Sequence, residues 1–192
     1  MPLTVYTGPM GSGKTEELIT LVRRYRLAER QVVYFVPESD NRNGVGVVKS
    51  NGGQYLPEGV PVITLKSNGA DSVLDSVASP KALICFDEAQ FFTAPFIDVL
   101  RLFLRRKQEI AVAGLDLDST GHTFGLMGEL LALADNVVKC RGVCMAPVDE
   151  VSDELCGAPA TRTYRKRGVS EARILIGGFD IYQPRCYTCW CK

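Results

Sequence analysis

No segment of this chain reaches the ~18 consecutive apolar residues that a membrane-spanning helix needs. Neither sign of charge is in excess, since 22 Lys and Arg stand against 22 Asp and Glu for a formal net charge of +0. That balance argues against a general binder of nucleic acid or of a membrane surface, which would carry a basic excess. The opening residues lack a basic stretch followed by a long apolar run, so no secretory signal is expected and the cytoplasm is the expected compartment. No internal repeat and no low-complexity tract interrupts the chain. Histidine is nearly missing; the single one, His122, falls in a polar stretch, reads as a solvent-side loop residue and is given no chemistry.

What is present suits a globular protein with a small appendage: 192 residues, 46% of them hydrophobic and 23% charged. Short, nearly continuous apolar runs at residues 3–7, 32–36, 60–65, 82–86 and 109–113 predict strands buried on both faces of a mostly parallel sheet. Between them, Leu18, Leu21, Val22 and Tyr25 recur at helical spacing, and Phe96, Val99, Leu100 and Phe103 mark a second helix over 95–106. Strand and helix alternate, so the expected fold is α/β, a P-loop (RecA-like) sheet flanked by helices. Residues 37–59 are polar and rich in Gly and Asn, and read as a long mobile loop or lid. Six of the seven cysteines follow residue 139, where helical periodicity stops. Such clustering in a reducing compartment points to metal more than to disulfides. The expected division is an α/β nucleotide-binding domain over 1–140 and a small metal-stapled lobe over 141–192.

Gly8-Pro9-Met10-Gly11-Ser12-Gly13-Lys14-Thr15 satisfies G-x-x-x-x-G-K-S/T at every fixed position, after a predicted strand and before a predicted helix. Glycines let backbone N–H groups converge on phosphate oxygens, and the helix N-terminus adds partial positive charge. Lys14 then reaches the β- and γ-phosphates, and the Thr15 hydroxyl serves Mg2+. At residues 82–88 an apolar strand runs into Asp87-Glu88 at the carboxyl edge of the sheet, where ligands bind in such folds. Asp87 there can hold Mg2+, leaving Glu88 free as a general base. A DExx-type ATPase whose metal lobe grips nucleic acid would show the same acidic pair; the basic run RTYRKR at 162–167 is the one feature favouring it, and also reads as a solvated loop. Cys85 reads as a small core residue. Phe92 suits either the core or a pocket.

Five segments taken together, GPMGSGKT, FDEAQFF, AGLDLDSTGHTFG, CGAPATRT and IGGFDIYQPRCYTC, resemble type II thymidine kinases in order and spacing, over nearly the whole chain. The resemblance implies transfer of the γ-phosphate of ATP to the 5′-hydroxyl of thymidine, with Mg2+ on the phosphates and a structural Zn2+. It implies Glu88 as the base, Asp87 and Gln90 on the cofactor side, and Asp40 with Arg42 as the D-x-R pair after the second strand. Met10, Phe91, Leu115, Phe124, Thr163 and Tyr182 match the thymine pocket. A lasso loop over 164–177, ending in Ile176-Gly177-Gly178, is expected to read the base through its main chain. A homotetramer or homodimer and feedback by dTTP are implied as well, with no nucleic-acid partner. One departure stands out: Ser119-Thr120 occupies the place where the family usually has an aromatic residue followed by Arg.

Cys186 and Cys189 form a C-x-x-C knuckle, a spacing suited to two thiolates on one tetrahedral metal. By the same resemblance Cys156 is the second cysteine of the other knuckle, yet no cysteine stands three residues before it. Aligning VVKCRGVCM with the family places Cys144 in that role, with an insertion of about nine residues carried by 145–155. The ligand set implied is Cys144, Cys156, Cys186 and Cys189, with Cys140 and Cys191 as substitutes.

Overall fold

The computed structural model describes residues 2–40, 44, 46–66, 69–77, 79–149, 154–166, 168, 175 and 177–192. Arg42 and Ile176, both expected in the site, lie outside them. The chain runs β1 (Leu3–Thr7), α1 (Lys14–Leu27), β2 (Val32–Pro37), β3 (Val62–Leu65), α2 (Ala70–Ser76), β4 (Leu83–Phe86), α3 (Pro95–Arg105), β5 (Glu109–Gly114), α4 (Met127–Leu133) and β6 (Asn136–Lys139). Among the described residues these strands make one six-stranded sheet in the order β3-β2-β4-β5-β1-β6. Every pairing in it is parallel. No helix among the described residues is long and apolar enough to cross a membrane.

Alternation along the strands splits the core into two layers, because successive side chains leave opposite faces of the pleat. Val33, Phe35, Ile84 and Phe86 point to the side packed by α3 and α4. There the Phe86 ring stacks on Phe35 at 5.0 Å and meets Phe96 edge-on at 4.7 Å. Phe92 is buried in the same cluster, which settles it as a core residue. Val32, Tyr34, Cys85, Ala111 and Ala113 point the other way, against Leu18, Ile19 and Val22 of α1. Burying a large apolar side chain contributes about 1.5–3 kcal/mol, and both layers draw on it. Helix α1 also carries Glu16 and Glu17 in its first turn and Arg24 and Arg26 in its last, which complements its dipole.

The strand expected at 60–65 starts later, at Val62: Pro61 has no N–H to give, though its carbonyl still accepts from Tyr34 N at 3.0 Å. The polar sequence of α2 and the half-exposed edge strand β6 gave no clear periodicity in the sequence. Part of the expected lid over 37–59 is docked on α1. A bridge pairs Lys49 with Tyr55, the Ser50 hydroxyl donates to Glu16 Oε1 at 3.1 Å, and Arg23 Nη1 donates to Gln54 Oε1 at 3.0 Å.

Past Cys140 the described residues form two antiparallel ribbons, β7 (Gly142–Val143) with β8 (Pro159–Ala160) and β9 (Arg162–Arg165) with β10 (Tyr182–Arg185), followed by the single turn α5 (Tyr187–Trp190). Met145 N donates to Pro184 O at 2.9 Å, joining one ribbon to the other.

Candidate active site

The strand-to-helix turn after β1 folds around its own lysine. Gly13, with φ at 85°, occupies a left-handed conformation that a side chain would strain, and from it α1 begins. Lys14 Nζ donates to Pro9 O at 2.7 Å and reaches Ser12 Oγ at 3.5 Å, closing the loop on itself. Burial lowers the Lys14 pKa, against the pull of the Glu88 and Asp87 carboxylates.

The acids come from the end of β4. Asp87 Oδ2 accepts from Thr15 Oγ1 at 2.9 Å and from Tyr34 OH at 3.0 Å, while its Oδ1 accepts from Glu88 N at 2.9 Å. Burial, and then the charge of Glu88, push the Asp87 pKa up to about 6. The Thr15 hydroxyl and this carboxylate are hard oxygen donors side by side, the set a small divalent cation takes. Glu88 itself has φ at 51°, a left-handed backbone rare for a residue with a side chain. Such conformations cost ~1–3 kcal/mol and persist where surrounding structure enforces them. Here the bend swings Glu88 off the strand and into the short 3-10 turn of Ala89–Phe91.

Gln90, expected on the cofactor side, bridges the two halves of the site. Its Nε2 donates to Glu88 Oε2 and its Oε1 accepts from Leu115 N at 3.0 Å. Beyond it the Phe91 ring meets Phe124 edge-on at 5.6 Å, making an aromatic wall. Met10 N donates to Thr163 Oγ1 at 3.0 Å, and Tyr182 OH donates to Leu175 O at 2.7 Å, so both strands of the β9–β10 ribbon reach the site. One cavity of about 970 Å³ joins the phosphate turn, Asp87, Glu88 and the aromatic wall. Asp40, Leu115, Gly177 and Gly178 also face it; Gly8 and Pro9 do not. Sequence reading passed over Tyr34, which looked like core within an apolar strand, and Phe179, whose ring lies close over Gly11. It passed over Asp116 too, a buried acid after β5 that pairs with Lys139 at 3.1 Å.

The sulfurs of Cys144, Cys156, Cys186 and Cys189 all lie within 4.8 Å of one another. Tetrahedral thiolate sites with Zn–S near 2.3 Å put their sulfurs about 3.8 Å apart, so the cluster fits a metal ion. Within it the Cys189 N–H draws the Cys186 thiol down to about 7, and the Cys186 side chain pushes Cys189 up to about 12. Cys144 and Cys156 meet across the intervening stretch of chain through two ladder bonds, Gly157 N to Cys144 O at 3.1 Å and Cys156 N to Ala146 O at 2.8 Å, with a further bridge between Pro147 and Leu155. Cys140 and Cys191 stand outside the cluster. The Cys140 N–H donates to Thr7 O at 2.7 Å beside the phosphate turn.

An anion cradle at one end of a cavity and an aromatic wall at the other, with a carboxylate between them, define a P-loop phosphotransferase for a small acceptor. The family model described as thymidine kinase matches residues 1–190. The chain is also similar to the thymidine kinase of Coprothermobacter proteolyticus, 38% identical over 189 residues that cover 96% of this chain and 87% of that one. The chain belongs to the thymidine kinase family.

Proposed function

We propose that the enzyme transfers the γ-phosphate of ATP to the 5′-hydroxyl of thymidine, giving dTMP and ADP. One observation carries the reading: Glu88 stands in a single cavity between the phosphate turn and the Phe91–Phe124 wall, tied through Gln90 to the backbone of Leu115. In this reading Glu88 takes the proton of the 5′-hydroxyl, the freed oxygen pair bonds to the γ-phosphorus, and the bond to the β–γ bridging oxygen breaks, leaving ADP. Lys14 and the N–H groups of residues 11–15 hold the phosphates, and Thr15 and Asp87 would hold Mg2+. That ion, when bound, neutralises the charge gathering on the phosphate oxygens.

The four-cysteine cluster is read as a structural Zn2+ site within a lobe over 141–192, beside an α/β domain over 1–140. Asp40 and Arg42 are assigned to the phosphate side, and the main chain near Ile176, Gly177 and Gly178 to the base. A homo-oligomer inhibited by dTTP completes the proposal on the resemblance alone, and the cytoplasm is the compartment proposed from the sequence.

Transfer of labelled phosphate from ATP to thymidine tests it, run with and without single-stranded DNA. Lys14→Ala should abolish transfer. Glu88→Gln should still bind thymidine and lose on the order of 10²-fold or more in kcat, the usual worth of a positioned base. A Gln variant with near-normal kcat removes Glu88 from the mechanism, and ATP hydrolysis driven by DNA would favour the DExx-type ATPase instead.

A further inference from the structure

The chain has one tryptophan, Trp190, at the end of α5 and next to the cluster cysteine Cys189. Its indole N–H donates to the carbonyl oxygen of Ser119 at 3.2 Å, a contact between residues 71 positions apart. The ring also lies against Gly121. A Cβ built on Gly121 would come within 2.9 Å of the indole, and its φ of +85° already favours glycine, so the turn is shaped to receive the ring. Trp190 also stacks on Tyr187 at 6.3 Å, with the Arg162 guanidinium 5.4 Å over the Tyr187 ring.

The turn that Trp190 grips is part of the cavity wall, through Leu117, Asp118 and Ser119. It is internally rigid. Leu117 and Thr123 bridge its base, and Asp118 Oδ1 accepts from Thr120 N at 2.9 Å, Thr120 Oγ1 at 2.6 Å and His122 N at 3.1 Å. A turn so braced can still move as a body against the rest of the site, and an outside contact must set that placement. Trp190 makes that contact from behind the wall, on a helix whose first residue follows Cys186 and whose third is Cys189.

We infer that Trp190 is a positioning residue for the acceptor end of the cavity, fixing the wall at 117–121 against the cysteine knuckle. The inference rests on the reading of that end as the thymidine slot. It separates acceptor binding from the phosphate chemistry, since no contact of Trp190 reaches residues 8–15 or Glu88 among those described here.

The test uses Trp190 as its own reporter, being the sole tryptophan. Thymidine titrated into the metal-loaded wild-type protein without ATP should change the emission or acrylamide quenching of Trp190, saturating at the Kd that calorimetry gives. Trp190→Phe keeps a ring and deletes the N–H. It should raise thymidine KM about fivefold, the worth of one neutral hydrogen bond, with kcat, ATP KM and metal content unchanged. Thymidine that binds by calorimetry with flat emission, or an unchanged thymidine KM in the Phe variant, overturns the inference alone. A KM for ATP that rises as much as that for thymidine also overturns it, by showing general loosening. Thymidine that fails to bind at all overturns the reading of the slot, and this inference with it.

Discussion

Tyr34 and Asp87 share a buried hydrogen bond of 3.0 Å, the phenol donating to the carboxylate oxygen that also accepts from Thr15 at 2.9 Å. The Tyr34 side chain is fully buried, so this bond replaces water that Asp87 cannot reach. Two donors on Oδ2 and the Glu88 N–H on Oδ1 leave the carboxylate little freedom to turn. Tyr34→Phe should keep the packing and release one of the three constraints. Hydrogen bonds to charged groups are worth about 1.5–3 kcal/mol, so kcat/KM for ATP should fall about tenfold or more. Calorimetry should find thymidine binding intact. A Phe variant with wild-type kcat/KM for ATP would show that Thr15 and the backbone orient Asp87 unaided.

The raised Asp87 pKa makes ligand-free stability depend on pH. Burial disfavours the ionised carboxylate in the folded chain, so the native state holds its proton up to about pH 6 while the unfolded chain releases it near 3.8. The native state therefore binds more protons across that window, and stability falls as pH rises through it. The contribution is on the order of 2–3 kcal/mol, fully present below the unfolded value and lost above about pH 6. Thermal melts of the ligand-free protein between pH 4 and pH 7.5 should show this slope. Asp87→Asn should flatten it and raise Tm at pH 7.5 by a few degrees while transfer is lost. A steeper slope in the Asn variant would place the titrating group elsewhere.

Those features were legible in the sequence to very different degrees. The phosphate turn and the acid pair are local: eight consecutive residues in one case and a strand end in the other, each in a context that only one fold uses. Strands β1, β2, β4 and β5 announced themselves because burial on both faces demands unbroken apolar runs. Tyr34 did not, since its role depends on β2 lying beside β4, and inside VVYFVP it looks like any aromatic core residue. Gln90 was placed on the cofactor side by resemblance, whereas its geometry between Glu88 and Leu115 comes from the left-handed bend at Glu88. The bond from Trp190 to Ser119 is long-range in sequence and carries no motif. Such partners are set by how the C-terminal ribbons fold back on the sheet, which no spacing rule encodes.

The cysteine cluster gives a sharper test because it contains a choice. Cys144 and Cys156 flank eleven residues and meet through the ladder that pairs Gly157 with Cys144. Purified protein should hold about one zinc per chain by elemental analysis. Cys144→Ser and Cys156→Ser should each lose it and melt at lower temperature, because metal binding at such sites contributes directly to folding. Cys140→Ser and Cys191→Ser should keep both metal and Tm. Zinc retained by Cys156→Ser, or lost by Cys140→Ser, would overturn the assignment.

Ser119 bears on which nucleosides the enzyme accepts. By resemblance an aromatic residue usually stands at this place in the family, beside the nucleoside. Here a serine lines the cavity, and the Ser119 carbonyl accepts from the Trp190 indole N–H. A missing stacking partner weakens binding by about 1 kcal/mol, roughly fivefold in affinity. The space it leaves should admit larger groups on the base. Thymidine KM is therefore expected to be higher than in a relative bearing the aromatic, with measurable turnover of deoxyuridine and of analogues bulkier than methyl at the 5-position. Ser119→Phe should reverse both effects: thymidine KM falls about fivefold and the bulky analogues lose the most. Because Trp190 grips the backbone of residue 119 and not its side chain, the substitution need not disturb the turn, and the Trp190 emission maximum checks that it has not. If thymidine KM stays put or rises in a variant that is folded, metal-loaded and unchanged in emission, the space at Ser119 is already filled by a neighbour such as Phe91 or Tyr182, and the broader acceptance of nucleosides falls with it.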